Sequence, residues 1–426
     1  GGFGSKIFHY AEEVIVPWAA RKLGQPVKWV ATRSEAFLTD AHGRDHVTTC
    51  KLALKNDGTF LGLDVTTYAN MGAYLSTFAP MIPTALYITL FSGLYKLPVI
   101  FGETYGTMTN TVPVDAYRGA GRPEASFVLE RLIDIAARDL NMDPVEIRRK
   151  NFIQPDEFPY ETPVAMIYDS GDYDKLFDKA VELSGYSALL QKRDAARAEG
   201  RLVGVGVSGC IEASGPAPSQ VVVGLGAGVG LWESGIVRVH PTGKVSVMTG
   251  SHAHGQGHET AFAQIVADEL GIPMEDVEII HGDTGRTPFG LGTYGSRSAA
   301  VGGSALVVSS EKLRDKMTKI AAHQLEAAVE DVVYDRTNGK MYVKGSPDQA
   351  KTFVDITLAS LTADNLPEGM EPGLEESTFY DPSNFTFPNS AHIALVEIDP
   401  ETGEPELLEY TAVDDVGSVI NPMIVE

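Results

Sequence analysis

Four short segments of this 426-residue chain share one construction: glycine, then a cation or an amide, then residues patterned as the start of a helix. They are Gly1–Lys6, Ala116-Tyr117-Arg118-Gly119-Ala120-Gly121-Arg122, His254-Gly255-Gln256-Gly257-His258-Glu259-Thr260 and Gly292-Thr293-Tyr294-Gly295-Ser296-Arg297-Ser298. Glycine adopts backbone conformations closed to other residues and lets N–H groups approach a bulky ligand. Helix N-termini add positive partial charge that suits phosphate or oxo groups. One such loop is usually an ordinary turn. Four of them, spread over both halves of the chain, imply one large, polar, anionic ligand held between two domains.

The formal net charge of −23 makes such a ligand depend on locally placed donors. The same charge repels nucleic acid and anionic membrane surfaces. Arg118, Arg122 and Arg297 are the candidate anion partners, because a guanidinium presents a planar fork of donors. Gln256 offers both a donor and an acceptor, which suits an oxo or hydroxo group. Only Cys50 and Cys210 are present. Two thiols cannot hold an iron–sulfur cluster, so any cluster belongs to a partner chain. Reduced thiols point to the cytoplasm, with a place at the inner face of the membrane compatible. No apolar run reaches the roughly 18 residues of a membrane span.

The pattern of elements favours an α+β fold of two mixed α/β-hairpin domains. A helix is expected with Phe8, Ala11, Ile15, Trp18 and Ala19 on one face, disturbed by Pro17 and stopped by Gly24 and Pro26. Val27–Ala31 reads as a short strand. Asn56-Asp57-Gly58 reads as the turn of a hairpin between 50–54 and 60–68. Pro123 opens a helix with Phe127, Leu132, Ile135 and Ala136 on its apolar face, and 144–150 continues in a second. Residues 153–172, with Pro155, Pro159 and Pro163, are expected to link a first domain, 1–152, to a second, 173–426. The second domain should open with one helix from Tyr173 to about Glu199. It should continue with a hairpin at 236–249, a helix at 260–270, a strand at 277–281, a long helix at 299–324 and a hairpin at 391–413. Both ends read as cut from a longer polypeptide, one domain short at its N-terminus and the other at its C-terminus.

Gly-Gly-Phe-Gly-x-Lys at the start, Ala-Tyr-Arg at 116–118, Gly-Gln-Gly at 255–257 and Gly-Thr-Tyr-Gly-Ser-Arg-Ser at 292–298 occur in order along the chain. Asp414-Asp415-Val416-Gly417 and Ile420-Asn421-Pro422 follow near its end. Together they resemble the large, molybdopterin-binding subunits of the xanthine oxidase, aldehyde oxidase and aerobic carbon monoxide dehydrogenase family. The resemblance implies two domains of the molybdenum-cofactor-binding type and a molybdenum ion held by a pyranopterin dithiolene, carried in bacterial members as molybdopterin cytosine dinucleotide. No protein side chain ligates the metal. It implies that Gly2, Phe3 and Gly4 lie beside the metal, with Phe3 shaping the substrate pocket. Gln256 would contact an apical oxo ligand, flanked by Gly255 and Gly257, and Arg118 would sit on the active-site loop. Thr293, Gly295, Ser296 and Arg297 would belong to the cofactor cradle. The implied reaction is hydroxylation of a small substrate with oxygen from water, assisted by a Glu outside this chain. Electrons would leave through an iron–sulfur subunit and an FAD subunit in a dimer of heterotrimers.

One position departs from the pattern. In carbon monoxide dehydrogenases of this family, Cys follows Ala-Tyr-Arg and bridges molybdenum to copper; here the residue is Gly119. A copper-bridged site is therefore not expected, and an aldehyde or N-heterocycle is the expected substrate, with oxidation of CO the runner-up. Outside the family, His252, His254 and His258 suggest a zinc-dependent hydrolase, with Asp268 or Asp283 as the acid. Their bland reading is hydrogen-bonded loop histidines. A third reading is a non-catalytic carrier of the cofactor. Gly204–Gly209 satisfies G-x-G-x-x-G but lacks the following helix and fails as a dinucleotide fingerprint. Gly224–Gly230 reads as a flexible loop.

Overall fold

The turn at Asn56-Asp57-Gly58 sets the first sheet. Gly58 takes φ +87°, and strands His46–Leu54 and Phe60–Gly72 pair antiparallel through it, His46 opposite Ala69. Ile100–Met108 adds to the far edge of Phe60–Gly72 in parallel. The computed structural model describes residues 2–287, 289–363 and 365–425. Gly1 of the first glycine segment and Glu426 lie outside the described residues.

Two compact units emerge. One holds residues 2–213 together with 386–417; the other holds 214–385 and the segment from Ser418 onward. The first unit contains that sheet and a second of three antiparallel strands ordered Pro405–Asp415, Asn389–Ile398, Leu202–Ile211. Residues 153–172 lie inside this unit and form a two-stranded pair, with the Tyr168 side chain fully buried. Helix Arg122–Asp139 is fixed by a buried network: Glu130 accepts from Arg148 Nε at 2.8 Å, Tyr95 Oη at 2.6 Å and Gly209 N at 2.9 Å. In the second unit, strands ordered Glu375–Tyr380, Glu233–Val239, Val245–Thr249, Val277–Ile280 form a mixed sheet. Its core packs Val237, Val247, Phe262, Val266, Leu306 and Leu313 between the sheet and helices His258–Leu270 and Ser304–Gln324. Helices and hairpins mix in each unit, which is the α+β class expected.

Several elements differ from the sequence reading for local reasons. Residues 27–31 form no strand, because no strand among the described residues pairs with them; a helix, Arg33–Thr39, follows, capped reciprocally by Thr32 and Glu35. The helix at 11–23 contains Pro17 and ends at Gly24 as expected, but buries none of its residues. Of the expected apolar face only Ala136 is buried, with Leu132 and Ile135 partly so and Phe127 70% exposed; Ala125, Val128, Leu129, Ile133 and Ala137 complete the buried stripe. The single helix from Tyr173 is two, Tyr173–Ser184 and Tyr186–Ala198, because Gly185 takes φ +58° and closes the first. The long helix at 299–324 starts with a wide π turn over Ser298–Gly303. Gly204–Gly209 lies inside strand Leu202–Ile211, and Gly224 ends a short helix, Ser219–Gly224.

Candidate functional site

In the first unit the structure brings together the first two glycine segments. Gly4, at φ +123°, comes so close to the second loop that a Cβ there would lie 2.5 Å from the carbonyl oxygen of Ala116. Only glycine fits such an approach. Gly2 and Phe3 also take positive φ, +109° and +44°. The Arg118 guanidinium lies 5.0 Å from the centre of the Phe3 ring, a cation–π pairing of two expected site residues. Arg44 donates to the Arg118 carbonyl and stacks over Tyr117. Buried Asp115 anchors the base of the loop, accepting from Phe78 N at 3.0 Å; burial raises its carboxyl above the usual range.

The loop then turns through Gly119 (φ +97°), Ala120 (φ +47°) and Gly121 (φ +91°) into helix Arg122–Asp139, whose N-terminus has no side-chain cap. Arg122 is 3% exposed. Its Nη1 donates to Glu212 Oε1 at 2.7 Å, while its Nε and Nη2 have no partner among the described residues. Two buried, orphaned donors at an uncapped helix N-terminus fit an acceptor-rich, anionic group. At Gly119 a Cβ would collide with Cγ of Pro123 and lie 2.6 Å from its Cδ, so no side chain fits this loop shape.

In the second unit the other two glycine segments meet. Thr293 Oγ1 donates to the His252 carbonyl at 2.7 Å, accepts from His252 N at 3.1 Å and contacts Ser298 Oγ at 3.0 Å. His254 Nε2 is 3.2 Å from the Thr293 carbonyl oxygen. Gly255 and Gly257 take φ +99° and +78°, and Gly257 opens helix His258–Leu270, again without a side-chain cap. Gln256 Oε1 accepts from His254 N. A backbone N–H can only donate, so this contact fixes the amide oxygen and leaves Nε2 as a donor. Gly295 and Ser296 both take positive φ, +60° and +54°.

Arg297 is placed differently from an anion partner. Its guanidinium is 1% exposed and turned inward. Nη1 donates to Glu233 Oε2 at 2.6 Å and the Gly292 carbonyl at 2.7 Å; Nη2 donates to the carbonyls of Leu231 at 3.0 Å and Trp232 at 2.6 Å, and the buried Nε has no partner among the described residues. Glu233 went unnoticed in the sequence. Its signal was an acid directly after Trp232, opening a strand, Glu233–Val239, that runs into Ile236 and Val237.

The histidines do not converge. His252 and His254 pack edge to face, 4.7 Å between centroids, while His258 is buried and stacked on Phe262. Burial drives the His258 imidazole down to about 4, with His281, His254 and His252 pushing the same way and Glu259 opposing. Among the described residues, no group of three or more His, Cys, Asp or Glu could hold a metal ion. The zinc reading therefore lacks its ligand set.

Two family models, each described as a molybdopterin cofactor-binding domain, match residues 1–152 and 179–426. The chain is 41% identical over its whole length to a carbon monoxide dehydrogenase large chain of Hydrogenophaga pseudoflava, of which it spans 53%. It superposes on the crystal structure of a Cu,Mo-CO dehydrogenase in its carbon monoxide reduced state with TM-score 0.92 and 38% identity, covering 100% of this chain and 54% of that one. Quinoline 2-oxidoreductase from Pseudomonas putida 86 gives TM-score 0.94 and 36% identity at the same coverage. The chain thus spans about half the length of the relatives it matches. It belongs to the molybdopterin cofactor-binding proteins related to the large subunits of carbon monoxide dehydrogenase and the xanthine oxidase family.

Proposed function

We propose that this chain is the cofactor-binding core of a molybdenum hydroxylase large subunit, its sequence modules 1–152 and 173–426 flanking a segment, 153–172, that is built into the first compact unit. The observation that carries the reading is the pairing of the four glycine loops, two in each unit, with the orphaned donors of Arg122 at the end of one of them. The bound cofactor, a molybdopterin carrying cytosine dinucleotide, would supply a redox-active metal centre that oxidises substrate with oxygen from water. The chain's own residues do the rest. Backbone N–H groups of the glycine loops and both uncapped helix ends hold its anionic groups. Gln256, its oxygen fixed by His254, presents Nε2 to an oxo acceptor. Phe3 and Arg118, stacked together, form a wall that orients substrate and excludes water. Thr293, Gly295 and Ser296 set the shape of the cradle, and Arg297 supports it from beneath. Iron–sulfur and FAD subunits in a dimer of heterotrimers would carry the electrons onward, in the cytoplasm. No helix among the described residues is long and apolar enough to cross a membrane.

On substrate, the relatives support CO oxidation better than the aldehyde or N-heterocycle expected from the sequence, since both the 41% and the 38% matches are CO dehydrogenases. A second reading, a copper-free hydroxylase, is favoured by one observation: position 119 is glycine, in a conformation where no side chain fits. The test is metal and nucleotide content of the full-length protein purified with its partners, followed by CO, aldehyde and heterocycle assays. One molybdenum per chain with cytidine nucleotide supports the common reading. Equal copper and turnover of CO select the first substrate class; molybdenum without copper selects the second. Zinc without molybdenum refutes both.

A further inference from the structure

The most deeply buried charges of the second unit lie beneath the two loops just assigned to the cofactor. Glu233 and Arg297 both have side chains with no solvent exposure. Glu233 Oε1 accepts from Ser234 N at 2.9 Å, and its Oε2 accepts from Ser251 Oγ at 3.2 Å and from Arg297 at 2.6 Å. Arg297 in turn gathers the carbonyls of Leu231, Trp232 and Gly292. Ser234 Oγ donates to the Phe289 carbonyl at 3.0 Å. Three backbone segments, 231–234, 250–252 and 289–298, thus meet on one ion pair. The approach is so close that a Cβ on Gly290 would lie 2.7 Å from Glu233 Oε1.

Such a pair is an expensive way to hold a fold. A hydrophobic pair of similar volume often stabilises as well or better, and what a buried pair adds is a single permitted geometry. Here that geometry is passed upward. Ser251 precedes His252, whose backbone is clamped by Thr293, and Arg297 sits between Ser296 and Ser298 of the facing loop.

We propose that Glu233 and Arg297 are positioning residues that fix the register of the 252–257 and 292–298 loops for the cofactor. This rests on the cofactor reading above. The test uses the full-length complex carrying R297K, which keeps the charge but loses the fork, and separately E233Q/R297Q, which removes both charges and keeps polar atoms. Three quantities are read: melting temperature, molybdenum and cytidine nucleotide per chain, and hydrogen exchange of peptides covering 250–257 and 289–298. Both variants should fold with cooperative melting, exchange those peptides at least tenfold faster, and retain less than a tenth of the cofactor. Full cofactor content, or loop exchange unchanged from wild type, overturns the proposal. Loss of the folded complex in both variants also overturns it, because the pair would then hold the whole unit rather than two loops. A wild-type complex without molybdenum sinks the cofactor reading instead, while loop exchange still reports on the pair.

Discussion

Replacing Gly119 by Cys asks whether a copper-binding thiol can be accommodated by this loop. Gly119 sits at φ +97°, outside the region L-residues favour, and its Cβ position is occupied by the Pro123 ring. Backbone strain of this kind costs about 1–3 kcal/mol. Overpacking against a ring held at the first turn of helix Arg122–Asp139 adds about 1–3 kcal/mol. The sum, about 4 kcal/mol, corresponds to a fall in apparent Tm of about 10 °C for a unit of this size. Calorimetry of G119C and G119A in the full-length complex should show the same loss, since both carry the Cβ and only one carries the thiol. Metal analysis of G119C after copper reconstitution should find no copper matched to molybdenum. A Tm within about 2 °C of wild type, or stoichiometric copper with CO turnover, would refute the steric argument.

Three further outcomes follow from named contacts. R122K keeps a cation for Glu212 but loses the orphaned Nε and Nη2 donors. Charged hydrogen bonds are each worth about 1.5–3 kcal/mol, so molybdenum content or kcat should fall at least about tenfold with little change in melting; wild-type loading would remove Arg122 from the site. His258 is buried neutral, its pKa lowered to about 4 from the usual 6.5. Between those values the unfolded chain binds a proton that the folded one refuses. Stability is therefore complete above pH 6.5 and lost as pH falls towards 4, by up to about 3 kcal/mol. H258F should flatten that acid limb in pH-dependent denaturation, and an unchanged limb would show that other groups set it. E130Q strips the charge that Arg148, Tyr95 and Gly209 share. Arg148 keeps only the partly exposed Asp134 as its acid, at 2.9 Å, so losing the charged hydrogen bonds to Glu130 should cost about 1.5–3 kcal/mol in urea unfolding, and a loss under about 0.5 kcal/mol would contradict the network.

Much of the loop geometry was legible because it is written in residues with narrow uses. Glycine at positive φ is a backbone requirement, and Gly2, Gly4, Gly119, Gly121, Gly255, Gly257, Gly292 and Gly295 all take it. Hairpin turns and helix stops follow from the same local chemistry, which is why Asn56-Asp57-Gly58 and Gly24 were read correctly. Burial stripes were less legible. Phe127 and Leu132 fit the apolar period of their helix as well as Val128 and Leu129, and only packing selects which face turns inward.

The sequence by itself determined the α+β class, the four glycine loops and the family to which they belong, since these rest on local conformation and on ordered motifs. It also determined that position 119 carries no thiol. Tertiary structure decided what the cations do. Arg118, Arg122 and Arg297 look alike along the chain. Folding stacks the first on Phe3, buries the second with donors to spare, and locks the third onto Glu233, 64 residues away. A guanidinium's role depends on which acceptors surround it once water is removed, and those acceptors come from segments distant in sequence.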